Sequence, residues 1–239
     1  MLTSGVTGLS ALLLTSCSRE MPPTYGNLLR CSDNFTYGAQ RSVLSDNALA
    51  REYSVADISS FPATGTVDPG DPTGSSPSAI YRQLQEGGFA NYRLEVGGAV
   101  ARPGAFSLSE LKSFASRTQV TKHVCEEGWS AIGQWTGVPL SLVLDAAGIL
   151  PTARFIKYYS FDAWEDSIDM IDALHPQTIL AYGMNGRDLP LRHGAPLRLR
   201  VERQIGYKSM KFVNRIEVAE SIGDGGDNPK HGWAWFVGI

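Results

Sequence analysis

Apolar and polar residues alternate with period two along Tyr92-Arg93-Leu94-Glu95-Val96, and Gly97-Gly98 ends the run. This is the pattern of a half-buried strand closed by a turn. Segments with strand character recur at 118–124, 154–161, 178–184, 197–202 and 212–219, rich in β-branched, aromatic and aliphatic residues. Asn185-Gly186, directly after the fourth strand, signals a two-residue hairpin. Helical signals are fewer. Residues 80–86 read as a short helix. Residues 107–115 read as a helix capped at Ser107, with Glu110 completing a capping box. Residues 140–147 read as a helix closed by Gly148. Pro62, Pro69, Pro72 and Pro77, interleaved with Gly65, Gly70 and Gly74, make 61–78 a loop. Short strands with few helices predict an α+β fold with mixed sheets.

The chain divides at its composition shifts. Residues 1–25 read as a signal peptide or anchor, 26–78 as an N-terminal arm with the Pro/Gly-rich loop, 79–222 as the main domain, and 223–239 as a tail. The tail opens on flexible Gly223-Asp224-Gly225-Gly226 but ends in Trp233-Ala234-Trp235-Phe236-Val237, too aromatic to stay solvated. It is expected to pack back on the domain. A length of 239 residues with 43% apolar composition supports one sizeable core. Net charge is −3, from 21 basic and 24 acidic side chains, which excludes a phosphate-binding basic excess and so a nucleic-acid partner. The acidic stretch Asp162, Glu165, Asp166, Asp169 and Asp172 reads as a solvated loop.

Three cysteines stand at 17, 31 and 125, with no Cys-x-x-Cys and no haem-attachment motif. The apolar run 9–14 followed by Leu14-Thr15-Ser16-Cys17 has the form of an exported lipoprotein's cleavage box. That reading places the protein in the periplasm with a lipid on Cys17, and it takes the true start to lie upstream of Met1, because no basic residue precedes Arg19. A Cys17–Cys31 disulfide and a buried helix are the competing readings. Cys125 lies in His123-Val124-Cys125-Glu126-Glu127-Gly128-Trp129-Ser130, ahead of Trp135-Thr136-Gly137-Val138-Pro139-Leu140. A thiolate needs cationic or hydrogen-bonding neighbours, which Lys122, His123 and the turn glycines supply and Glu126 and Glu127 oppose. By spacing alone Cys125 is an inert core thiol more readily than a functional one. Arg198 and Lys211 read equally as strand-edge or surface charges. A serine hydrolase is not supported, since no Gly-x-Ser-x-Gly elbow occurs.

Ordered motifs give these residues a second meaning. The segment 123–140 resembles the cysteine loop of the sulfite oxidase superfamily, the molybdopterin-dependent oxidoreductases, and most of all its bacterial periplasmic branch that includes the methionine sulfoxide reductase catalytic subunit. Ala153-Arg154-Phe155-Ile156-Lys157-Tyr158-Tyr159-Ser160, the His175-Pro176 turn, Leu189-Pro190, His193-Gly194-Ala195-Pro196-Leu197-Arg198 and Gly206-Tyr207-Lys208-Ser209-Met210-Lys211 follow in the family's order. The resemblance spans roughly Tyr92 to Val218. It implies a sulfite oxidase-like fold and a molybdenum–molybdopterin cofactor. Cys125 is then the protein thiolate on molybdenum, and Ser160, His193, Arg198, Ser209, Met210 and Lys211 contact the pterin. The family's N-terminal arm also reaches the cofactor, which makes Tyr37, Gln40 and Arg41 candidates; the bland alternative is a helix starting at Asp46 with surface arginines. The resemblance further implies a monomeric enzyme acting on a small molecule, with a membrane cytochrome b or soluble cytochrome c as electron carrier. A cofactor-free lipoprotein that kept the fold as a binding module is the rival reading.

Overall fold

The computed structural model describes residues 27–239. The N-terminal readings, including the cleavage box at Cys17, lie outside the described residues. An N-terminal helix α1 (Asn27–Val43) precedes the extended loop, and α2 (Ala79–Glu86) leads into the sheets. The first sheet has β1 (Arg93–Gly98) flanked by antiparallel β2 (Gly104–Ser107) and parallel β10 (Val213–Ala219). β10 continues antiparallel to β5 (Phe155–Ser160), and β5 to β6 (Glu165–Asp169). The second sheet runs β3 (Arg117–Val124), β4 (Ser130–Pro139), β7 (Ile179–Met184), β8 (Arg187–Asp188), with β9 (Arg198–Arg200) also on β7. Helices α3 (Leu108–Ser113), α4 (Leu140–Ala147), α5 (Met170–Ala173) and α6 (Asp227–Lys230) are short. This is the expected mixed α+β fold with few helices.

Local chemistry accounts for the boundaries. Ser107 and Glu110 form the capping box, with Glu110 Oε2 accepting from the Ser107 amide at 2.7 Å. Gly148 ends α4 in the left-handed region, where a side chain would be strained. Asn185 and Gly186, both at positive φ, join β7 to β8 as a tight hairpin. Leu140, Val143, Leu144 and Ala147 bury one face of α4 against Leu94, Ile156, Ile216 and other members of the main core. Strand β4 was not legible as a strand, because its glycines imitate a loop. They answer to close packing instead. A Cβ on Gly137 would lie 2.2 Å from the Leu180 carbonyl oxygen, at the point where the β4–β7 register shifts.

The acidic stretch is a correction. Residues 165–169 form β6, and Asp162, Asp166, Asp169 and Asp172 are all buried. Alternating charge on a strand hides in sequence when each carboxylate has a fixed partner. Lys208 is also fully buried rather than exposed, its ammonium 2.6 Å from Asp166 Oδ1 and 3.0 Å from the Ser167 carbonyl. Burial lowers the Lys208 pKa and raises that of Asp166, and their mutual attraction opposes both shifts. Removing one partner leaves the other charge stranded without water. We expect Lys208→Ala to lose about 3–5 kcal/mol of stability, read as the shift in urea unfolding midpoint; a loss below about 1 kcal/mol would mean that Asp166 is neutral in the folded protein.

Candidate active site

The cysteine sits where two long antiparallel strands turn. β3 and β4 pair through Val124↔Ser130, so residues 125–129 form a five-residue hairpin loop. The Cys125 amide donates to the Trp129 carbonyl at 2.9 Å, the Gly128 amide donates to the Cys125 carbonyl at 3.1 Å, and Gly128 takes φ +87. The loop thus holds the Cys125 sulfur, which is 6% exposed, against a cavity of about 270 Å³. Burial pushes the thiol pKa up to about 11; the Glu127 amide opposes the shift, and Glu126, its Oε2 3.5 Å from the sulfur, adds to it. Without a ligand the sulfur is therefore a protonated thiol at neutral pH. A metal or another cation must displace that proton.

Positive charge is built into the opposite wall. Arg198 and Arg200 lie two residues apart on β9 and so share a face. Both guanidiniums lie over the Trp135 ring, their carbons 5.2 and 4.4 Å from its centroid. Arg200 is fully engaged. It donates to Glu202 at 2.9 and 2.8 Å and to His123 Nδ1 at 2.9 Å. His123 accepts that bond as a neutral ring, because burial and the two arginines hold its pKa far below the usual range. Arg198 differs. It is buried, its Nη1 donates to the His193 carbonyl at 3.1 Å, and its Nε has no partner. Burial and Arg200 push its pKa down to about 9. Lys211 faces the same cavity, its ammonium donating to the carbonyls of Thr64, at 2.7 Å, and Thr66. Burial and Arg198 lower its pKa to about 8. Two cations thus lie on this wall without a carboxylate in contact, a setting that favours a negative charge beside them.

Six of the ten expected site residues line this one cavity: Cys125, His193, Arg198, Ser209, Met210 and Lys211. His193 ends a short turn whose next residue, Gly194, takes φ +109, and a Cβ there would also meet Lys211 at 2.9 Å, so both constraints select glycine. Its ring is half-buried, and burial and Arg198 lower its pKa to about 4, so it is neutral at pH 7. Ser209 Oγ accepts from the Val201 amide at 3.1 Å. Ser160 stands behind the wall; its hydroxyl donates to Asp162, and Asp162 is the residue that reaches the cavity. Tyr158 is core and Tyr159 packs under Arg215, and neither lines the cavity.

Tyr37, Gln40 and Arg41 are placed elsewhere, which corrects their expected position. They belong to α1, not to a helix starting at Asp46. Tyr37 donates to Asp169 at 2.7 Å, and Arg41 bridges Asp169 and Asp172 at 2.8 and 2.9 Å. The Gln40 side chain lies against Gly238. Sequence reading in turn missed 61–66, which crosses the cavity mouth. Phe61 packs its ring 5.3–5.7 Å from those of His123, Trp129, Trp135 and His193. Its signal was an aromatic residue beside Pro62 in an otherwise small, polar loop.

A buried loop thiol shares one cavity with two cations, on an antiparallel sheet packed with a mixed one. The model of the oxidoreductase molybdopterin binding domain family matches residues 82–225, and the chain belongs to that family, within the sulfite oxidase superfamily. Among curated proteins it is 40% identical over 156 residues to the "Putative protein-methionine-sulfoxide reductase subunit YedZ1" of Azospira oryzae, covering 65% of this chain and 59% of that protein. It is 33% identical over 164 residues to the protein-methionine-sulfoxide reductase catalytic subunit MsrP of Xanthomonas axonopodis pv. citri, covering 62% and 50%. The chain thus spans between half and three-fifths of the length of these relatives. In fold it is similar to the sulfane dehydrogenase SoxCD from Paracoccus pantotrophus, with TM-score 0.52 and 24% identity over 58% of this chain and 40% of that one.

The raised thiol pKa gives a direct test. In cofactor-free protein, alkylation of Cys125 by iodoacetamide should be slow at pH 8 and rise about tenfold per pH unit toward pH 11. Mass spectrometry of the Cys125 peptide reads the rate. A plateau by pH 8.5 would show an unshifted thiol.

Proposed function

We propose that this protein is an exported molybdenum–pterin oxidoreductase that moves an oxygen atom or an electron pair between a small substrate and an external electron carrier. The observation that carries the reading is the unpartnered Nε of buried Arg198, beside Lys211, in the same cavity as Cys125. An uncompensated buried cation calls for an anion, and a pterin phosphate fits it. Among the described residues no group of three or more His, Cys, Asp or Glu side chains is placed to hold a metal ion. A metal at Cys125 therefore needs ligands from outside the protein, which a pterin dithiolene provides.

In this reading Cys125 Sγ, deprotonated, would be the protein's ligand to the metal, a soft donor suited to a redox-active centre. Arg198 grips the phosphate through its planar fork, and Lys211 adds a point charge. Ser209 and the neutral His193 ring supply hydrogen bonds that do not alter the charge of the site. Phe61 and Trp129 exclude water from the thiol side. The bound group itself supplies the two-electron chemistry. The relatives' names make sulfoxides the first substrates to try. A sulfoxide takes up two electrons and two protons and leaves as thioether and water. The electrons come from a partner, a membrane cytochrome b or a soluble cytochrome c. Export rests on the apolar run before Cys17. No helix among the described residues is long and apolar enough to cross a membrane. Mass spectrometry of protein from the native host distinguishes a lipid on Cys17 from a Cys17–Cys31 disulfide.

Protein made with cofactor assembly intact should hold about one molybdenum and one pterin per chain. Stoichiometric zinc, or neither molybdenum nor pterin, would sink the reading and leave the cofactor-free binding module. Cys125→Ser should abolish turnover and weaken the visible absorption of the bound metal while the fold persists. Arg198→Ala should weaken pterin retention by about 1.5–3 kcal/mol, seen as lost occupancy. Full occupancy with lowered activity per metal would place Arg198 on the substrate instead.

A further inference from the structure

The family match ends at residue 225, yet the cavity does not. Asn228 and Trp233, from the C-terminal tail, line it together with the hairpin loop and β9. Three of the chain's five tryptophans meet there, and each comes from a different segment: Trp129 from the β3–β4 loop, Trp164 from the β5–β6 turn and Trp233 from the tail. Trp164 and Trp233 are 40% and 46% exposed, so neither ring is spent wholly on the core.

Exposure of a single indole means little by itself. What distinguishes Trp233 is how firmly its neighbours are tied. Its amide donates to the Asn228 carbonyl at 3.0 Å, and its ring stands edge-on to Tyr207, centroids 5.9 Å apart. Tyr207 in turn donates its hydroxyl to the Ala234 carbonyl. Beyond it, Trp235 and Phe236 are buried. Trp235 Nε1 donates to Ser167 at 2.9 Å, and the Ile205 and Ile239 amides bond across to Val237 and Arg203. Helix α1 closes over this tail: Tyr37 packs on Trp235 and Phe236 at 5.7 and 5.1 Å, and the Arg41 guanidinium lies 4.9 Å over Phe236 while paired with Asp169 and Asp172. A surface tryptophan with nothing to do needs no such clasp.

We infer that Trp233 is a substrate-specificity wall of the cavity, selecting an aromatic or bulky apolar substituent on the substrate, and that α1 sets its position through the tail. This rests on the oxidoreductase reading for the word substrate, but the wall itself is measurable without turnover. An indole face adds affinity for an apolar or aromatic group through contact area and ring geometry, and it adds little for a small polar one.

The test uses the purified holoenzyme, with methyl phenyl sulfone and dimethyl sulfone as unreactive probes in calorimetry. Turnover of methyl phenyl sulfoxide and dimethyl sulfoxide is measured in parallel with reduced benzyl viologen. Trp233→Ala should weaken the phenyl probe about fivefold to tenfold, raise KM for the phenyl sulfoxide likewise, and leave molybdenum content, kcat and the dimethyl compounds within about twofold. Trp233→Phe should restore most of the loss. Arg41→Ala should accelerate hydrogen exchange in 233–239 and weaken the phenyl probe in the same direction. Equal effects on both probes, no effect on either, or a phenyl probe that does not bind the wild type would overturn the wall. Unchanged exchange in the tail would overturn the role of α1. Trp233-dependent binding of the phenyl probe in a protein that lacks molybdenum would keep the wall and sink the oxidoreductase reading instead.

Discussion

The site depends on two guanidiniums stacked over one indole. Trp135 is fully buried in β4, and β9 sets Arg198 and Arg200 across it. Only one carboxylate, Glu202, is spent on the pair, and it is committed to Arg200 in a two-pronged bond. Arg200 then fixes His123, whose ring approaches Gly206 so closely that a Cβ there would lie 2.6 Å away. The residual charge of Arg198 is left facing the cavity. Strand geometry thus decides which cation is structural and which is open to a ligand.

The two ends of the described chain complete this core from outside. The 61–66 loop is fastened by Lys211 at the cavity, Asn228 and Trp233 of the tail line it as well, and α1 packs on Trp235 and Phe236 of that tail. Neither segment lies within the stretch that matches the family. The sheets place the thiol and the cations, whereas the additions shape access to them.

Much of this was legible in residue order. The Ser107 box, Gly148 and Asn185-Gly186 act within a few residues, so they read directly as local structure. The cysteine loop and the Arg198 and Lys211 segments read through resemblance, and they do share a cavity. What failed was non-local. Arg41 reads, through the resemblance, as a cofactor contact, and the acids of 162–172 read as a solvated loop. Each looked functional or solvated alone. They are two halves of one buried ion cluster, 128 residues apart at Arg41 and Asp169, and no local rule pairs them. β4 was hidden for the opposite reason. Its Gly137 is demanded by the backbone of β7, which the sequence around it does not show.

The open guanidinium has a consequence for the life of the chain in a cell. A buried charge lacking a counterion raises the free energy of the empty fold, and an anion seated beside it removes that burden in proportion to its occupancy. On the proposed reading, loaded and empty molecules would differ in lifetime as well as in content. Proteases that sample opened states would remove the empty ones first.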